Sequence, residues 1–175
     1  MEKINLMNKN MINGVVIKQL NKFEDDRGWL AEIFRYDELN FKPAMSYVSI
    51  TQPGKTRGPH EHKEQSDFFV FLGPGDFELY LWDNRSEKNA AGQIAGRDAL
   101  QCVSTIAEHV KITVGEKNPV AVIVPPGVVH GYKCISDHPA MCINLPDKLY
   151  RGEGKKEEVD EIRWEKMEDS PFKID

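Results

Sequence analysis

Short apolar runs separated by turn residues recur along most of the chain, and their period is that of β-strands. Residues 76–81 alternate between polar and apolar side chains, which predicts a strand with one buried face. Phe68–Leu72 is apolar throughout, which predicts a strand covered on both faces. Similar runs predict further strands at 15–17, 29–34, 47–50, 103–107, 111–114, 120–124, 130–135 and 140–145. Many short strands with turns between them indicate an all-β protein of two packed antiparallel sheets.

The length of the chain, 175 residues, suits one domain with a sizeable core. We expect residues 1–13 to form a tail or pairing arm and residues 14–175 to form a single domain, because no repeat or linker interrupts them. Within the domain, the polar stretch 84–97 predicts a surface excursion, and residues 37–41 predict one helical turn. Residues 157–165 predict either a short helix or an edge strand.

Composition narrows the classes of function. The net charge of −5 argues against nucleic acid as a partner, because the phosphate backbone demands basic surfaces. No apolar run approaches the roughly 20 residues that span a membrane, and the first residues lack the apolar core of a signal peptide. The three cysteines form no CxxC pair. We therefore expect a reduced, cytoplasmic protein that binds neither nucleic acid nor membrane.

Three histidines and an acid follow the general cupin pattern of HxH, a nearby carboxylate and a later PxGxxH. These are His60, His62, Asp67 and His130. Residues two apart on a strand share a face, so His60 and His62 can both point into a barrel interior. Imidazoles and a carboxylate can hold a divalent metal with coordination positions left open. One hypothesis is therefore a metal-binding cupin, either an oxygenase-like enzyme or a sugar-binding module.

A narrower set of motifs covers roughly residues 12–165. The segments, in chain order, are DDRGWLAE (25–32), RGPH (57–60), DFELYLWDNR (76–85), VPPGVVHGYKCISDHPAM (124–141) and EIRW (161–164). In this order they resemble the dTDP-4-dehydrorhamnose 3,5-epimerase family. The resemblance implies a cupin jelly roll, or double-stranded β-helix, that forms a homodimer. It also implies an isomerase that acts on a nucleotide-linked 4-keto-6-deoxy sugar without a cofactor, in deoxysugar and polysaccharide biosynthesis.

The resemblance assigns roles residue by residue. The histidine of the family's RGxH motif is the base, which places that role on His60, and the arginine of the same motif contacts substrate, which places that role on Arg57. The early RGxFxE motif corresponds to Arg27 and Glu32, which reach the nucleotide, often from the neighbouring subunit. His130 corresponds to a histidine near the diphosphate and sugar.

This chain departs from the family pattern at three places. The family's catalytic tyrosine lies thirteen residues after the PxGxxHG histidine, and that count reaches Ile143 here. The family has glutamine at the position of His62. The family's C-terminal segment, with an aspartate that pairs with the base, has no counterpart before Asp175.

The chemistry of such a site requires a base and an acid. A histidine suits proton abstraction next to a ketone, because its ordinary pKa of about 6.5 lies near working pH. Arg57 suits an enolate oxygen or a phosphate. Candidates for the acid are Tyr132, Tyr150 and His130, and we favour Tyr132 because it shares the strand face of His130. The leading hypothesis is an epimerase in which His60 is the base, acting at one carbon or at two.

A second enzyme hypothesis comes from another cupin group. The nucleotide-sugar 3,4-ketoisomerases carry an RGxHAHK-like segment, and Arg57–Lys63 is similar to it. In those enzymes both histidines shuttle protons, which would make His62 catalytic as well.

Elsewhere, we expect the charged residues 155–158 to be a solvated face. Trp164 is expected either to cover the mouth of the pocket or to pack at a sheet edge.

Overall fold

Two antiparallel sheets make up the body of the structure. The computed structural model describes residues 12–85 and 109–175, and these contain twelve strands and no α-helix. The strands are β1 (Val16–Gln19), β2 (Phe23–Asp25), β3 (Gly28–Leu30), β4 (Tyr47–Thr51), β5 (Thr56–Glu61), β6 (Asp67–Phe71), β7 (Asp76–Asp83), β8 (His109–Gly115), β9 (Val120–Val124), β10 (Val128–Cys134), β11 (Ala140–Asn144) and β12 (Ile162–Arg163). The expected all-β architecture is confirmed.

The strand order brings distant parts of the sequence together. The first sheet has the order β1-β9-β6-β11-β4, and the second has the order β12-β5-β10-β7-β8. Strands β2 and β3 form a separate hairpin. All of these pairings are antiparallel. As a result, the two histidine motifs lie on neighbouring strands, β5 and β10.

The main core lies between the two sheets. On β6, Phe69 and Phe71 point into it, and on β7 the same is true of Phe77, Leu79 and Leu81. These positions alternate along each strand, because successive side chains of a strand point to opposite faces. Each such side chain contributes roughly 1.5–3 kcal/mol when fully buried.

The outer face of β6 is also covered, as its uninterrupted apolar sequence predicts. Phe68 packs against Phe34 and Phe41 at ring-centroid distances of 5.8 and 5.4 Å. The predicted strand at 29–34 is therefore wrong in its second half. Strand β3 ends at Leu30, because its one partner is the short strand β2, and Phe34 beyond it packs over the first sheet.

Other differences are small. Residues 36–38 form a turn rather than a helical turn at 37–41. For residues 157–165 the sequence predicts a helix or an edge strand. The structure has a strand there that covers two residues, β12 (Ile162–Arg163). The strand predicted at 103–107 lies outside the described residues, and the domain boundary after residue 13 stays a prediction. In the described parts of the chain, no helix is long and apolar enough to cross a membrane.

After β11 the chain adds β12 to the edge of the second sheet, beside β5. Trp164 and Phe172 then pack together at a ring-centroid distance of 4.9 Å. Phe172 in turn packs against Trp82 on the outer face of that sheet, at 5.7 Å. Of the two roles expected for Trp164, the structure supports packing at the sheet edge.

Candidate active site

The glycines of two motifs let strands β5 and β10 approach closely. Gly58 has a φ of +78°, and a Cβ there would lie 2.6 Å from the carbonyl oxygen of His130. A Cβ on Gly131 would lie 2.8 Å from the carbonyl oxygen of Arg57. In this register His130 is opposite His60, and their ring centroids are 4.4 Å apart. The motif glycines therefore allow two histidines that are distant in sequence to pack together.

A cavity of about 1310 Å³ opens between the two sheets. It is larger than the roughly 300–1,000 Å³ of most small-molecule sites, which suits an extended ligand. Of the residues predicted for the site, Arg57, His60, His62, Tyr132 and Tyr150 line this cavity. Residues from the segment 146–165, which we call the rim, enclose it on one side.

His60 lies on β5 in the wall of the cavity. Its side chain is 16% exposed, and its Nε2 is 3.9 Å from Oε1 of Glu161. Burial lowers the pKa of His60 well below its ordinary value, and the neighbouring His130 ring lowers this pKa further. The imidazole is therefore neutral at pH 7 and can accept a proton.

Four buried polar side chains next to His60 form what we call the floor: His62, Asp67, His130 and Asn144. Oδ2 of Asp67 is 3.2 Å from Nε2 of His62 and 3.2 Å from Nε2 of His130. Burial acts to raise the pKa of Asp67, but the imidazoles of His130 and His62 outweigh it and hold this pKa well below its usual range. For His62, burial acts to lower the pKa, but the Asp67 carboxylate raises it overall.

Asn144 connects the floor to a tyrosine that sequence reasoning missed. Its Nδ2 donates to Oδ1 of Asp67 at 2.8 Å and to the hydroxyl of Tyr47 at 2.9 Å. Its Oδ1 accepts the backbone N–H of Phe68 at 3.2 Å. Because the Tyr47 oxygen accepts this bond, its own O–H remains available to donate. Although 45% of Tyr47 is exposed, its hydroxyl lies against the floor at Asn144, and this partial burial raises the pKa of Tyr47 to about 12.

Tyr47 lines the cavity, and it belongs to β4 of the first sheet. Its register partner on β11 is Asn144, which directly follows Ile143, the position where the related family has its tyrosine. A phenol is thus present near that position, but the neighbouring strand supplies it. The alternation of Tyr47–Ile50 predicts the strand, but nothing in the sequence indicates which strand it pairs with.

Arg57, on β5, lies in the cavity wall. Its side chain is held by β4, the edge strand of the first sheet. Its Nε donates to Oγ1 of Thr51 at 2.9 Å, and its Nη2 donates to the carbonyl oxygen of Ile50 at 2.8 Å. A guanidinium has five N–H donors, so further donors remain for a ligand. This placement fits the substrate contact predicted for Arg57.

Tyr132 also lines the cavity, but the core holds it more tightly. Its ring packs edge-on against Phe71 and Phe77 at centroid distances of 5.4 and 5.0 Å. Its hydroxyl is 3.3 Å from Oγ of Ser49. Burial raises the pKa of Tyr132 well above its ordinary value. The phenol is protonated, but it is 4% exposed, so it offers little surface to a ligand.

Four predicted site residues do not line the cavity, and Asp67 of the floor is one of them. His130 is buried at 1% exposure in the floor, where it contacts Asp67 rather than the open space. Arg27 and Glu32 lie on exposed backbone at and after the β2–β3 hairpin. There Arg27 pairs with Asp25, and Glu32 pairs with Arg35. The structure therefore does not bring Arg27 and Glu32 to the site within one chain.

The rim carries the charges that we expected to form only a solvated face. Lys155, Glu157 and Glu158 are exposed, but they line the cavity. Asp160 fixes the rim, because its carboxylate accepts three backbone N–H groups of residues 63–65 at 2.9–3.0 Å. Those bonds lower the pKa of Asp160 against the opposing effect of its burial.

Glu161 is a second residue of the cavity that the sequence did not single out. Its carboxylate is 14% exposed, binds Arg163 and lies near His60. It also lines the cavity. The EIRW motif contains this residue, so a signal was present, but its proximity to His60 depends on the pairing of β12 with β5.

The arrangement supports acid–base chemistry at a carbon between the sheets. A neutral imidazole on the second sheet and a protonated phenol on the first sheet line one cavity. One can remove a proton and the other can return it from the opposite side. The Arg57 guanidinium can stabilise the negative charge that develops between these steps.

Comparison with known proteins places this chain among sugar-modifying enzymes. Residues 13–97 match the family model described as FdtA: WxcM-like, C-terminal. The chain is 33% identical over 150 residues to a probable low-salt glycan biosynthesis epimerase, Agl13, of Haloferax volcanii, and this covers 84% of the chain and 86% of that protein. It is 30% identical over 141 residues to the spore coat polysaccharide biosynthesis protein SpsL of Bacillus subtilis, covering 80% and 83%.

Solved structures share the fold at lower identity. A dTDP sugar isomerase from Desulfovibrio desulfuricans G20 aligns with a TM-score of 0.70 at 21% identity, covering 91% of this chain and 88% of that one. A dTDP-6-deoxy-D-glucose-3,5-epimerase from Legionella pneumophila, in complex with dTDP-4-keto-L-rhamnose, aligns at 0.65 and 20%, covering 91% and 76%. A sugar 3,4-ketoisomerase from Thermoanaerobacterium thermosaccharolyticum, in complex with TDP, aligns at 0.59 and 18%, covering 87% and 90%.

Proposed function

The chain belongs to the FdtA/WxcM-like family of cupin-fold sugar epimerases and ketoisomerases, and from this membership we propose that it epimerises a nucleoside-diphosphate 4-keto-6-deoxy sugar. The family resemblance expected from the motifs is confirmed, with this chain as a divergent member. It is an isomerase of glycan or polysaccharide biosynthesis. The nucleotide sugar, the carbon that changes and the catalytic residues are parts of the proposal.

In the proposed reaction His60 is the base. It removes the proton next to the ketone of the sugar, and the electron pair of the C–H bond moves onto the carbonyl oxygen to form an enolate. Arg57 stabilises that oxygen. Tyr47 then donates its proton to the same carbon from the opposite face, which inverts the centre. Tyr47 takes the place of Tyr132, the acid favoured from the sequence, because Tyr47 is more exposed in the cavity and its O–H is free to donate.

One observation carries this mechanism. His60 and Tyr47 line the same cavity from opposite sheets. A base and an acid on the same wall would return the proton to the face from which it came. A base and an acid on opposite walls invert the carbon, which is what an epimerase requires. Glu161 near His60 supports the role of the base, because a carboxylate stabilises the imidazolium that forms.

A 3,4-ketoisomerase is the second candidate. His60 and His62 both line the cavity, and their ring centroids are 5.5 Å apart. Two imidazoles on one wall can move a proton between neighbouring carbons on the same face of the sugar. This would shift the ketone from C4 to C3 without inversion.

We also infer a homodimer. Apolar side chains on the β2–β3 hairpin and on the edge strand β4 are exposed in the single chain: Phe23, Trp29, Leu30, Val48 and Ile50. Exposed apolar surface of this kind is typical of protein interfaces. An interface there would also give Arg27 and Glu32 a route to a nucleotide in the neighbouring cavity. The expected cytoplasmic location stays a prediction.

Proton NMR of dTDP-4-keto-6-deoxyglucose in deuterated water tests the proposed reaction. Loss of the signal at C3, at C5 or at both, with the appearance of an epimer, is the expected result. A new 3-keto sugar instead would assign the enzyme to the ketoisomerases. If millimolar sugar with micromolar protein exchanges no ring hydrogen beyond the protein-free control, the proposed substrate class is wrong.

A further inference from the structure

Asn144, on β11, is a buried amide whose orientation is fixed by its neighbours. Asn144 is 1% exposed. Its Oδ1 accepts the backbone N–H of Phe68 at 3.2 Å, and its Nδ2 donates to Oδ1 of Asp67 at 2.8 Å. In the reverse orientation an amide oxygen would face the carboxylate and an NH₂ group would face the N–H, so both contacts would become repulsive. The amide can therefore offer only N–H groups to the side on which Asp67 lies.

The same NH₂ group sets the direction of the Tyr47 hydroxyl. Nδ2 of Asn144 also donates to the Tyr47 oxygen, at 2.9 Å. A hydroxyl that accepts such a bond must direct its own proton away from the donor. Within residues 12–85 and 109–175, no other side chain or backbone group forms a hydrogen bond with this hydroxyl. Because Tyr47 lines the cavity, its O–H is left for a group that is bound there.

The bond from Asn144 matters most after the proton of Tyr47 has left. Burial raises the pKa of Tyr47, the bond from Asn144 acts against this rise, and the pKa comes to about 12. A hydrogen bond to an ionised oxygen is roughly twice as strong as one to a neutral oxygen. The N–H of Asn144 therefore stabilises the phenolate more than the phenol. An interaction that strengthens as the proton leaves lowers the barrier to its transfer.

The floor holds Asn144 in this position. Oδ1 of Asp67 also accepts from Nε2 of Gln65 at 3.0 Å, while Oδ2 lies 3.2 Å from Nε2 of His130. The ring of His130 in turn packs against that of His60. One set of buried contacts thus supports the phenol on the first sheet and the imidazole of His60 on the second.

We propose that Asn144 is a positioning residue for the acid: it directs the O–H of Tyr47 into the cavity and stabilises the phenolate that remains. As the O–H bond breaks, the proton forms the new C–H bond with the electron pair of the enolate. The phenol oxygen keeps the pair of the O–H bond until solvent returns a proton. Asn144 does not line the cavity, so it acts through Tyr47. Its effect on the reaction rests on the proposed function, whereas its bond to Tyr47 does not.

The role of Asn144 does not depend on the metal site expected from the sequence. The three histidines of the site and Asp67 offer ligand atoms that lie within 4.8 Å of one another, and that expectation stays a prediction. An ion at Oδ2 of Asp67 would leave the bond from Asn144 to Oδ1 in place.

Two rates, measured on the sugar in deuterated water, separate positioning from a structural role. Deuterium exchange in the recovered substrate requires only the base, whereas the inverted product also requires the acid. We expect Asn144→Ala to slow formation of the inverted product roughly 10-fold or more, because it removes a hydrogen bond to a charged oxygen. Exchange should stay close to the parental rate. Asn118→Ala is the matched control and should change neither rate, because Asn118 donates its amide to Thr113 and does not line the cavity.

A double-mutant cycle with Tyr47→Phe shows whether Asn144 acts through Tyr47. Without the phenol there is nothing to position, so Asn144→Ala should then slow inversion by no more than a further factor of about two. An undiminished further loss in the Tyr47→Phe protein would overturn the proposal. So would an equal fall of exchange and inversion in Asn144→Ala, or an unchanged rate of inversion. These results would mean that Asn144 only supports the floor.

Asn144→Asp is the second variant if Asn144→Ala does not fold, because it keeps the shape of the side chain and the acceptor for the N–H of Phe68. Its carboxyl group and that of Asp67 would share one proton. No donor would then be left for Tyr47, whose O–H would turn to the new acceptor. We expect the inverted product to fall here as well, and the pKa of Tyr47 to rise. That pKa is measured without sugar by fluorine NMR of fluorotyrosine-labelled protein, in which Tyr47→Phe assigns the signal.

The titration without sugar separates the role of Asn144 from the proposed function. If the parent protein exchanges no ring hydrogen but the pKa of Tyr47 rises in Asn144→Asp, the substrate is rejected and the orientation of Tyr47 by Asn144 is retained. If the pKa of Tyr47 is the same in Asn144→Asp as in the parent, the proposal is overturned whatever the reaction.

Discussion

The floor and the rim of the cavity differ in how their polar groups are held. In the floor, His62, Asp67, His130 and Asn144 are at most 9% exposed, and all but His62 belong to strands. In the rim, the charged side chains of 146–165 are mostly exposed. Most of the rim is irregular backbone, which the carboxylate of Asp160 and the short strand β12 attach to the sheets. A packed sheet fixes side chains far more tightly than a surface segment does.

The difference suggests a division of labour. Groups that must meet a reacting atom within a few tenths of an ångström need rigid support, and the floor and the neighbouring strands supply it. Recognition of a nucleotide or phosphate tolerates movement and is commonly placed on loops. We therefore expect changes in the floor to affect folding and chemistry, and changes in the rim to affect the binding of substrate.

Replacing the floor carboxylate should have the largest effect. Asp67→Ala leaves His62, His130 and Asn144 buried without their shared partner. Breaking a buried ionic network in this way costs about 3–5 kcal/mol. Urea denaturation followed by tryptophan fluorescence measures the loss, with Glu64→Ala on the adjacent surface as the control. A loss below about 1 kcal/mol would mean that the floor is not a coupled network.

Replacing His60, the proposed base, should have the next largest effect. His60→Ala should slow deuterium exchange of the sugar by roughly 10²–10⁴-fold, the usual contribution of a general base. Because a general base acts on the transition state of proton transfer, the affinity for the substrate should change little. The rate of exchange and the KM are both measured, with His138→Ala as the control. Exchange at the parental rate would remove His60 from the mechanism.

Tyr47→Phe tests the acid. It removes only the hydroxyl, so exchange by His60 should persist while formation of the inverted product falls roughly 10²-fold or more. The pKa of Tyr47 is about 12, so the phenol stays protonated and the parent enzyme should show no loss of activity from this group up to about pH 11. Tyr132→Phe is the matched variant, and a larger effect there would restore the acid first favoured from the sequence.

Replacing Asp160, which anchors the rim, should have a moderate effect. Asp160→Ala removes a carboxylate that accepts three backbone N–H groups. Because Asp160 is partly exposed, we expect a loss of about 1–2 kcal/mol in the free energy of unfolding and a raised KM with little change in kcat. Asp160→Asn keeps an acceptor oxygen and should recover part of both. A fall in kcat alone would mean that the rim positions catalytic groups instead.

The smallest effect is expected at the hairpin. Arg27→Ala removes an exposed pair with Asp25, and surface pairs of this kind contribute little. The urea midpoint should not change measurably. If Arg27 reaches a nucleotide in the neighbouring subunit, the KM should rise, and the rise should vanish in a monomeric variant. An unchanged KM in the dimer would remove Arg27 from the binding site.

Prediction from the sequence succeeded where the signal is local. The alternation at 76–81 and the apolar run 68–72 predict β7 and β6, because burial on one or two faces is recorded in the side chains themselves. The prediction of a strand failed at 31–34, because these residues form an irregular segment from which Phe34 covers the first sheet. The motif around His60 and His130 indicated the site, because the glycines beside these histidines are needed for close strand approach.

The sequence by itself determined the fold class, the histidine motifs and the family to which they belong, since these depend on residue type and spacing. The tertiary structure alone decided that Tyr47 is beside Asn144, that Glu161 is near His60 and that Arg27 and Glu32 are outside the cavity of their own chain. It also decided that Asp67 is surrounded by two imidazoles. The physical reason is that these relations depend on strand pairing, which brings together residues far apart in the chain through the burial of their shared apolar faces.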